Sequence, residues 1–239
     1  MFFVFSDLIT IIKSYHAVAY ITSDVLYKFW YKNMYMILGI MLKRRIFMRT
    51  AEISRKTKET DINVFVDLDG KGKVDIDTGV GFFDHMLTAL GVHAGLDLTV
   101  KVKGDLYVDA HHTVEDAGIV LGQALIKALG DKKGINRYGS AYVPMDEALG
   151  FCSLDISSRP FLVFNAEFSG DKMGDMDTQL VEEFFRALAF NSGITLHLKS
   201  EYGKNDHHIC EALFKAFAHA FKDAAKVVSN DILSTKGVL

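Results

Sequence analysis

The chain has 239 residues, 49% of them hydrophobic and 24% charged, an ordinary globular composition that can bury one large core or two small ones. With 27 Lys and Arg against 30 Asp and Glu, the formal charge of −3 gives no general field for nucleic acid or an anionic membrane, so the expected partner is a small molecule. Two cysteines, Cys152 and Cys210, are too few for a disulfide framework or a Cys-rich zinc site, and they fit a reducing cytoplasm.

Residues 1–47 differ from everything after them. They hold the sole tryptophan, Trp30, a cluster of tyrosines, and six basic residues against only Asp7 and Asp24. The most apolar run, Met34 to Leu42, is about half the length of roughly 18–20 residues that a membrane span needs. A secretory signal is also excluded, because the segment opens Met-Phe-Phe-Val-Phe and ends Lys43-Arg44-Arg45. Residues 1–47 therefore read as an extension outside the main fold, with a start assigned upstream of the working one at Met48; an interfacial or targeting segment is the alternative. Residues 48–239 read as one domain of two repeats, about 48–135 and 136–239.

Ile62, Val64, Val66 and Leu68 alternate with polar residues, which predicts a half-buried strand. Asp69-Gly70-Lys71-Gly72 supplies a turn, and Val74 to Asp77 resumes the alternation, so a hairpin is expected. Phe83, Leu87 and Leu90 keep helical spacing, and Leu96 to Val102 returns to period two. After His111-His112, the apolar set Val114, Ile119, Leu121, Leu125 and Leu129 predicts a long helix closed by Gly130.

The second half repeats the order. Strands are expected at Ala141–Val143, Leu149–Leu154 and Phe161–Glu167, a helix from Leu180 to Phe190, a strand at Ile194–Leu198, and a helix after His207-His208. Each His-His pair follows a strand and a Gly-containing turn, and His111 and His207 lie 96 residues apart. This is an internal duplication. The expected fold class is α+β, with the two halves sharing one continuous sheet and helices packed on a single face.

His111-His112-Thr113-Val114-Glu115 and His207-His208-Ile209-Cys210-Glu211 share the form His-His-x-x-Glu. Residues three apart share a helix face, so His112 with Glu115 and His208 with Glu211 can each chelate one ion. His111 and His207 point about 100° away and are free for a second ion. A single copy also reads as a polar helix start with Glu answering the dipole, but two copies at equivalent places favour metal. Superposing Leu87 and Leu90 on Phe185 and Leu188 sets His85 opposite Glu183. Pseudo-twofold symmetry then gives one site of His85, His112, Glu115 and His207, and another of His111, Glu183, His208 and Glu211. Imidazole and carboxylate ligands without thiolate favour Mn²⁺, with Fe²⁺ or Zn²⁺ as competitors.

Gly81-Phe82-Phe83-Asp84-His85-Met86-Leu87, Asp109 to Asp116, Pro144-Met145-Asp146-Glu147-Ala148-Leu149, Ser158-Arg159-Pro160, His207 to Phe217 and Ser234-Thr235-Lys236-Gly237 resemble the motifs of imidazoleglycerol-phosphate dehydratases, over Arg49 to Leu239. The resemblance implies halves like domain 2 of ribosomal protein S5, the same ligands, and two Mn²⁺ per active site. It also implies a homo-oligomer of 24 subunits built from trimers, with sites between subunits. The implied activity is a carbon–oxygen lyase reaction of histidine biosynthesis, the dehydration of imidazoleglycerol phosphate to imidazole-acetol phosphate. Glu59 matches a family position implicated in acid/base work, although without the family it reads as an exposed charge at a strand edge. Arg137, Arg159, Lys215, Ser234, Thr235 and Lys236 are carried over as binding the substrate, with His93 lining its pocket. Arg137 and Asp146 are alternatively a structural pair, and His197 and His219 read as structural. One departure is Glu183, where several family members have His; a carboxylate is a competent ligand but adds negative charge.

Two rival readings are weaker. Val66-Asp67-Leu68-Asp69-Gly70 is similar to the nucleophile loop of haloacid-dehalogenase-type phosphatases, but Lys71 stands where that loop needs Thr. An RNA-binding module of the same fold would need a basic face and aromatic platforms, and neither shows in this acidic chain.

Overall fold

Apolar and polar residues alternate along most strands, and each repeat builds its sheet from that alternation and covers one face with its own two helices. In the computed structural model the described residues are 30–35, which are helical, and 49–239. The remainder of the predicted extension lies outside the described residues. The chain divides into two units, Met1–Met48 and Arg49–Leu239.

The first repeat runs β1 (Thr50–Lys56), β2 (Thr60–Asp67), β3 (Val74–Asp77), α1 (Gly81–Ala94), β4 (Asp97–Gly104) and α2 (His111–Leu129). The second runs β5 (Tyr138–Met145), β6 (Ala148–Ile156), β7 (Phe161–Asn165), a small β8 (Lys172–Met173) and β9 (Met176–Asp177) ribbon, α3 (Leu180–Ser192), β10 (Ile194–Tyr202) and α4 (Asp206–Ala225). The strand orders β1-β2-β4-β3 and β5-β6-β10-β7 are equivalent, so the duplication inferred from the His-His pairs extends through the topology.

Two expectations are corrected. β2 and β3 do not form a hairpin: β4 lies between them, antiparallel to β2 with Val64 opposite Val100 and parallel to β3 with Ile76 opposite Val100. The true hairpin partner of β2 is β1, with Ile53 opposite Val64. The halves also keep separate four-stranded sheets instead of one continuous sheet.

The helices lie between those sheets. α2 packs on β1 and β2, α4 on β5 and β6, and the halves meet where α2 contacts α3 and α1 contacts α4. Phe83 of the first half meets Phe184 of the second edge-to-face at 5.2 Å, and Phe184 stacks on Phe214 at 5.3 Å, so an aromatic core joins the repeats. A Cβ at Gly118 or Gly122 of α2 would come within 2.7 Å of the Phe184 or Leu188 carbonyl oxygen, so glycine there lets α2 and α3 approach closely.

Candidate metal centre

Both His-His pairs open a helix, and an Asx side chain fixes each start. Asp109 accepts from the N–H of His111 at 2.7 Å, and Asn205 from that of His207 at 3.0 Å. The repeats therefore present their histidines from equivalent first turns.

Among the described residues, His85, His207 and Glu211 form the one group of three such side chains close enough to share an ion, with ligand atoms all within 4.8 Å of one another. His207 Nε2 lies 3.2 Å and His85 Nε2 lies 3.4 Å from the same oxygen, Oε2 of Glu211. α1 supplies His85 and α4 the other two, so the group sits where the halves meet. Lys215 Nζ donates to the other oxygen, Oε1, at 2.6 Å. Burial works to raise the Glu211 pKa, but Lys215 and His85 outweigh it and hold the carboxyl below its ordinary value. Two imidazole nitrogens facing one oxygen of an ionised carboxylate suit a divalent cation of intermediate hardness.

The expected i,i+3 chelates are not the close pairs. His111 Nε2 lies 3.6 Å from Glu115, and His207 likewise pairs with its own Glu211, both at i,i+4. The second histidine of each pair turns to a different carboxylate. His112 Nδ1 faces Asp105 at 3.1 Å, and His208 Nδ1 faces Glu147 at 2.7 Å. These contacts raise both imidazole pKa values, chiefly through Asp105 and Glu147. Glu147 is itself held down at about 2 by His208 and by the N–H groups of Asn205 and Lys204. Carboxylates on Nδ1 leave Nε2 as the free ligand atom.

Within one chain, the symmetry-derived sites are divided. His85 and His207, assigned together, do meet, but Glu211 joins them from the other predicted set. Glu183 forms its ion pair with Arg186 at 3.8 Å. Glu59 is exposed, with Oε1 3.9 Å from His112 Nε2.

The substrate-binding residues fall in two places. Arg137 is buried, donates twice to Asp155 at 2.6 and 3.0 Å, and donates to the Leu233 carbonyl at 2.8 Å. Its partner is thus Asp155 and not Asp146, which instead lies 3.7 Å from His208. Exposed Arg159 reaches the same Asp155 at 3.3 Å, and the tail with Ser234, Thr235 and Lys236 begins where Arg137 holds Leu233. Lys215 lies with the histidine group instead. His93 Nδ1 is 3.3 Å from His219 Nε2, and burial, then Lys215, lowers the His93 pKa. His197 is exposed on β10.

Asp105 and Glu147 were not singled out from sequence. Asp105 reads only as part of a turn, and Glu147 sits in the Pro144 to Leu149 motif without a role. The one available signal is that each lies near a strand end in the repeat that carries its histidine.

Fold and site together define an internally duplicated α+β protein with imidazole–carboxylate centres, one at the junction of its repeats. Residues 78–221 match the family described as imidazoleglycerol-phosphate dehydratase. The dehydratase of Acetivibrio thermocellus is 61% identical over 193 residues, covering 80% of this chain and 99% of its own. That of Clostridium kluyveri is 58% identical over 194 residues, covering 80% and 100%. Among crystal structures, the Staphylococcus aureus enzyme has a TM-score of 0.67 at 44% identity, covering 73% of this chain and 97% of its own. The Pyrococcus furiosus enzyme has a TM-score of 0.69 at 40% identity, covering 78% and 100%. The chain belongs to the imidazoleglycerol-phosphate dehydratase family, hydro-lyases of histidine biosynthesis.

Proposed function

We propose that the chain dehydrates imidazoleglycerol phosphate to imidazole-acetol phosphate in a reaction that depends on two divalent cations per active site, Mn²⁺ in preference to Fe²⁺ or Zn²⁺. The observation that carries this reading is the convergence of His85, His207 and Glu211 from both repeats on one small volume. His112 and His208, each with Nδ1 engaged, add Nε2 atoms of the right chemistry. When bound, the cations would serve as a template for the substrate imidazole and stabilise the charge that develops as the hydroxyl leaves.

The remaining work falls to side chains of the chain itself. Glu59, exposed and beside His112, moves the side-chain proton as general base. Arg159 and the Ser234–Lys236 tail hold the phosphate, for which the guanidinium suits paired oxygens. Arg137 contributes by tying the tail to β6 through Leu233 and Asp155. His111, Glu115, Glu183 and His208 complete the second cation site with groups from neighbouring copies. Such assembly, a 24-subunit shell of trimers, is supported by exposed aromatics, with Tyr107 90%, Tyr202 63% and Tyr142 62% exposed. No helix among the described residues is long and apolar enough to cross a membrane, which agrees with a cytoplasmic site of action.

His112→Ala and His208→Ala are each expected to lower dehydratase turnover by about 100-fold or more and to reduce bound Mn²⁺ per subunit. Full turnover with undiminished metal in both variants would end the two-cation reading.

A further inference from the structure

The β1–β2 and β5–β6 hairpins occupy the same place in their sheets, and each carries a glutamate in its turn, Glu59 and Glu147. Both glutamates lie beside the second histidine of their own repeat, yet they face different ring nitrogens. Glu147 Oε2 is 2.7 Å from His208 Nδ1, while its Oε1 accepts from the N–H groups of Asn205 at 2.8 Å and Lys204 at 3.1 Å. Glu59 lies 3.9 Å from His112 Nε2, because the Nδ1 of that ring is already taken by Asp105.

We propose that Glu147 is a positioning residue that fixes the Nδ1–H tautomer of His208 and so aims the Nε2 lone pair at a divalent cation. Asp105 does the same for His112 in the first repeat, and this leaves the repeat-equivalent turn carboxylate, Glu59, uncommitted and available for proton transfer. The duplicated scaffold thus uses one turn position for orientation and its counterpart for chemistry. The proposal rests on the divalent-cation reading above. A carboxylate behind a histidine ligand orients the ring and raises its basicity, and losing it costs about 10–100-fold in metal affinity. Glu147 is well placed for this, since its second oxygen pins the backbone immediately before the His-His pair.

Glu147→Gln separates orientation from simple loop support. The amide oxygen still accepts from the Lys204 and Asn205 N–H groups, but the amide N–H donates to Nδ1 and favours the wrong tautomer. Mn²⁺ binding to the full chain is measured by the free-ion electron paramagnetic resonance signal, beside the thermal midpoint of the metal-free protein. The expected result is about 10–100-fold weaker binding of part of the Mn²⁺, an unchanged midpoint, and recovery of turnover at high Mn²⁺. Asp105→Asn is expected to behave alike. Parent-like Mn²⁺ binding in Glu147→Gln would overturn the proposal, as would a loss of affinity accompanied by an equal loss of metal-free stability. A parent chain that binds no Mn²⁺ would overturn the divalent-cation reading as well, and so marks that failure apart from the first.

Discussion

At Glu211 three nitrogens face two oxygens: Lys215 takes Oε1, while His85 and His207 share Oε2. Burial acts to raise its pKa, but Lys215 and His85 outweigh it and the net shift is downward. Oxygen Oε2 is then the natural point of entry for a cation between the two imidazoles, with Lys215 steadying the other oxygen. Among the described residues, Glu183 pairs only with Arg186 on the same helix. Glu183→His is expected to retain more turnover and bound Mn²⁺ than Glu183→Ala, because imidazole restores a donor that a methyl group cannot. Equal activity and metal content in all three proteins would show that Glu183 ligates nothing.

At the scale of elements, the β8–β9 ribbon ties the second repeat to the helix of the first that carries His85. Asp175, in its turn, accepts from the N–H groups of Gly81 at 2.6 Å and Phe82 at 3.0 Å, which the N-cap Val80 leaves uncapped. Burial acts to raise the Asp175 pKa, but those two donors outweigh it and the net shift is downward. A carboxylate depressed in the folded state stabilises fully above its unfolded value of about 4, and that stabilisation is lost as pH falls through the lower folded value. Protection of the Gly81 and Phe82 amides, with the intrinsic exchange rate divided out, is therefore expected to fall only below about pH 4, with Asp175→Asn removing that acid step. An unchanged acid profile in the variant would show that the latch contributes nothing.

The same elements show what the sequence made legible. Helix α2 and both His-His starts could be read because a 3.6-residue period and a repeated His-His-x-x-Glu spacing are local signals. Pairing was not local. Gly70 and Gly72 suggested that β2 turns directly into β3, yet β4, arriving after the whole of α1, inserts between them. Apolar alternation marks a strand's inner face but not its neighbour. For the same reason the carboxylate on His208 was hidden, since Glu147 lies 61 residues away across a hairpin turn.

For the whole molecule, Arg49–Leu239 carries all the residues assigned to the reaction, and relatives aligned over 99–100% of their own length cover 80% of this chain. We propose that the extension takes no part in catalysis, so a chain starting at Met48 is expected to dehydrate its substrate at the full-length rate; loss of turnover or assembly would make the extension part of the enzyme. The central claim is a dehydration that needs cations held by both His-His pairs. Its most direct test strips the full-length protein with a chelator, follows imidazole-acetol phosphate formation from imidazoleglycerol phosphate, and returns Mn²⁺ in counted equivalents. Turnover is predicted to vanish on stripping and to return only as two equivalents per site bind, and full turnover by the metal-free protein would contradict the account.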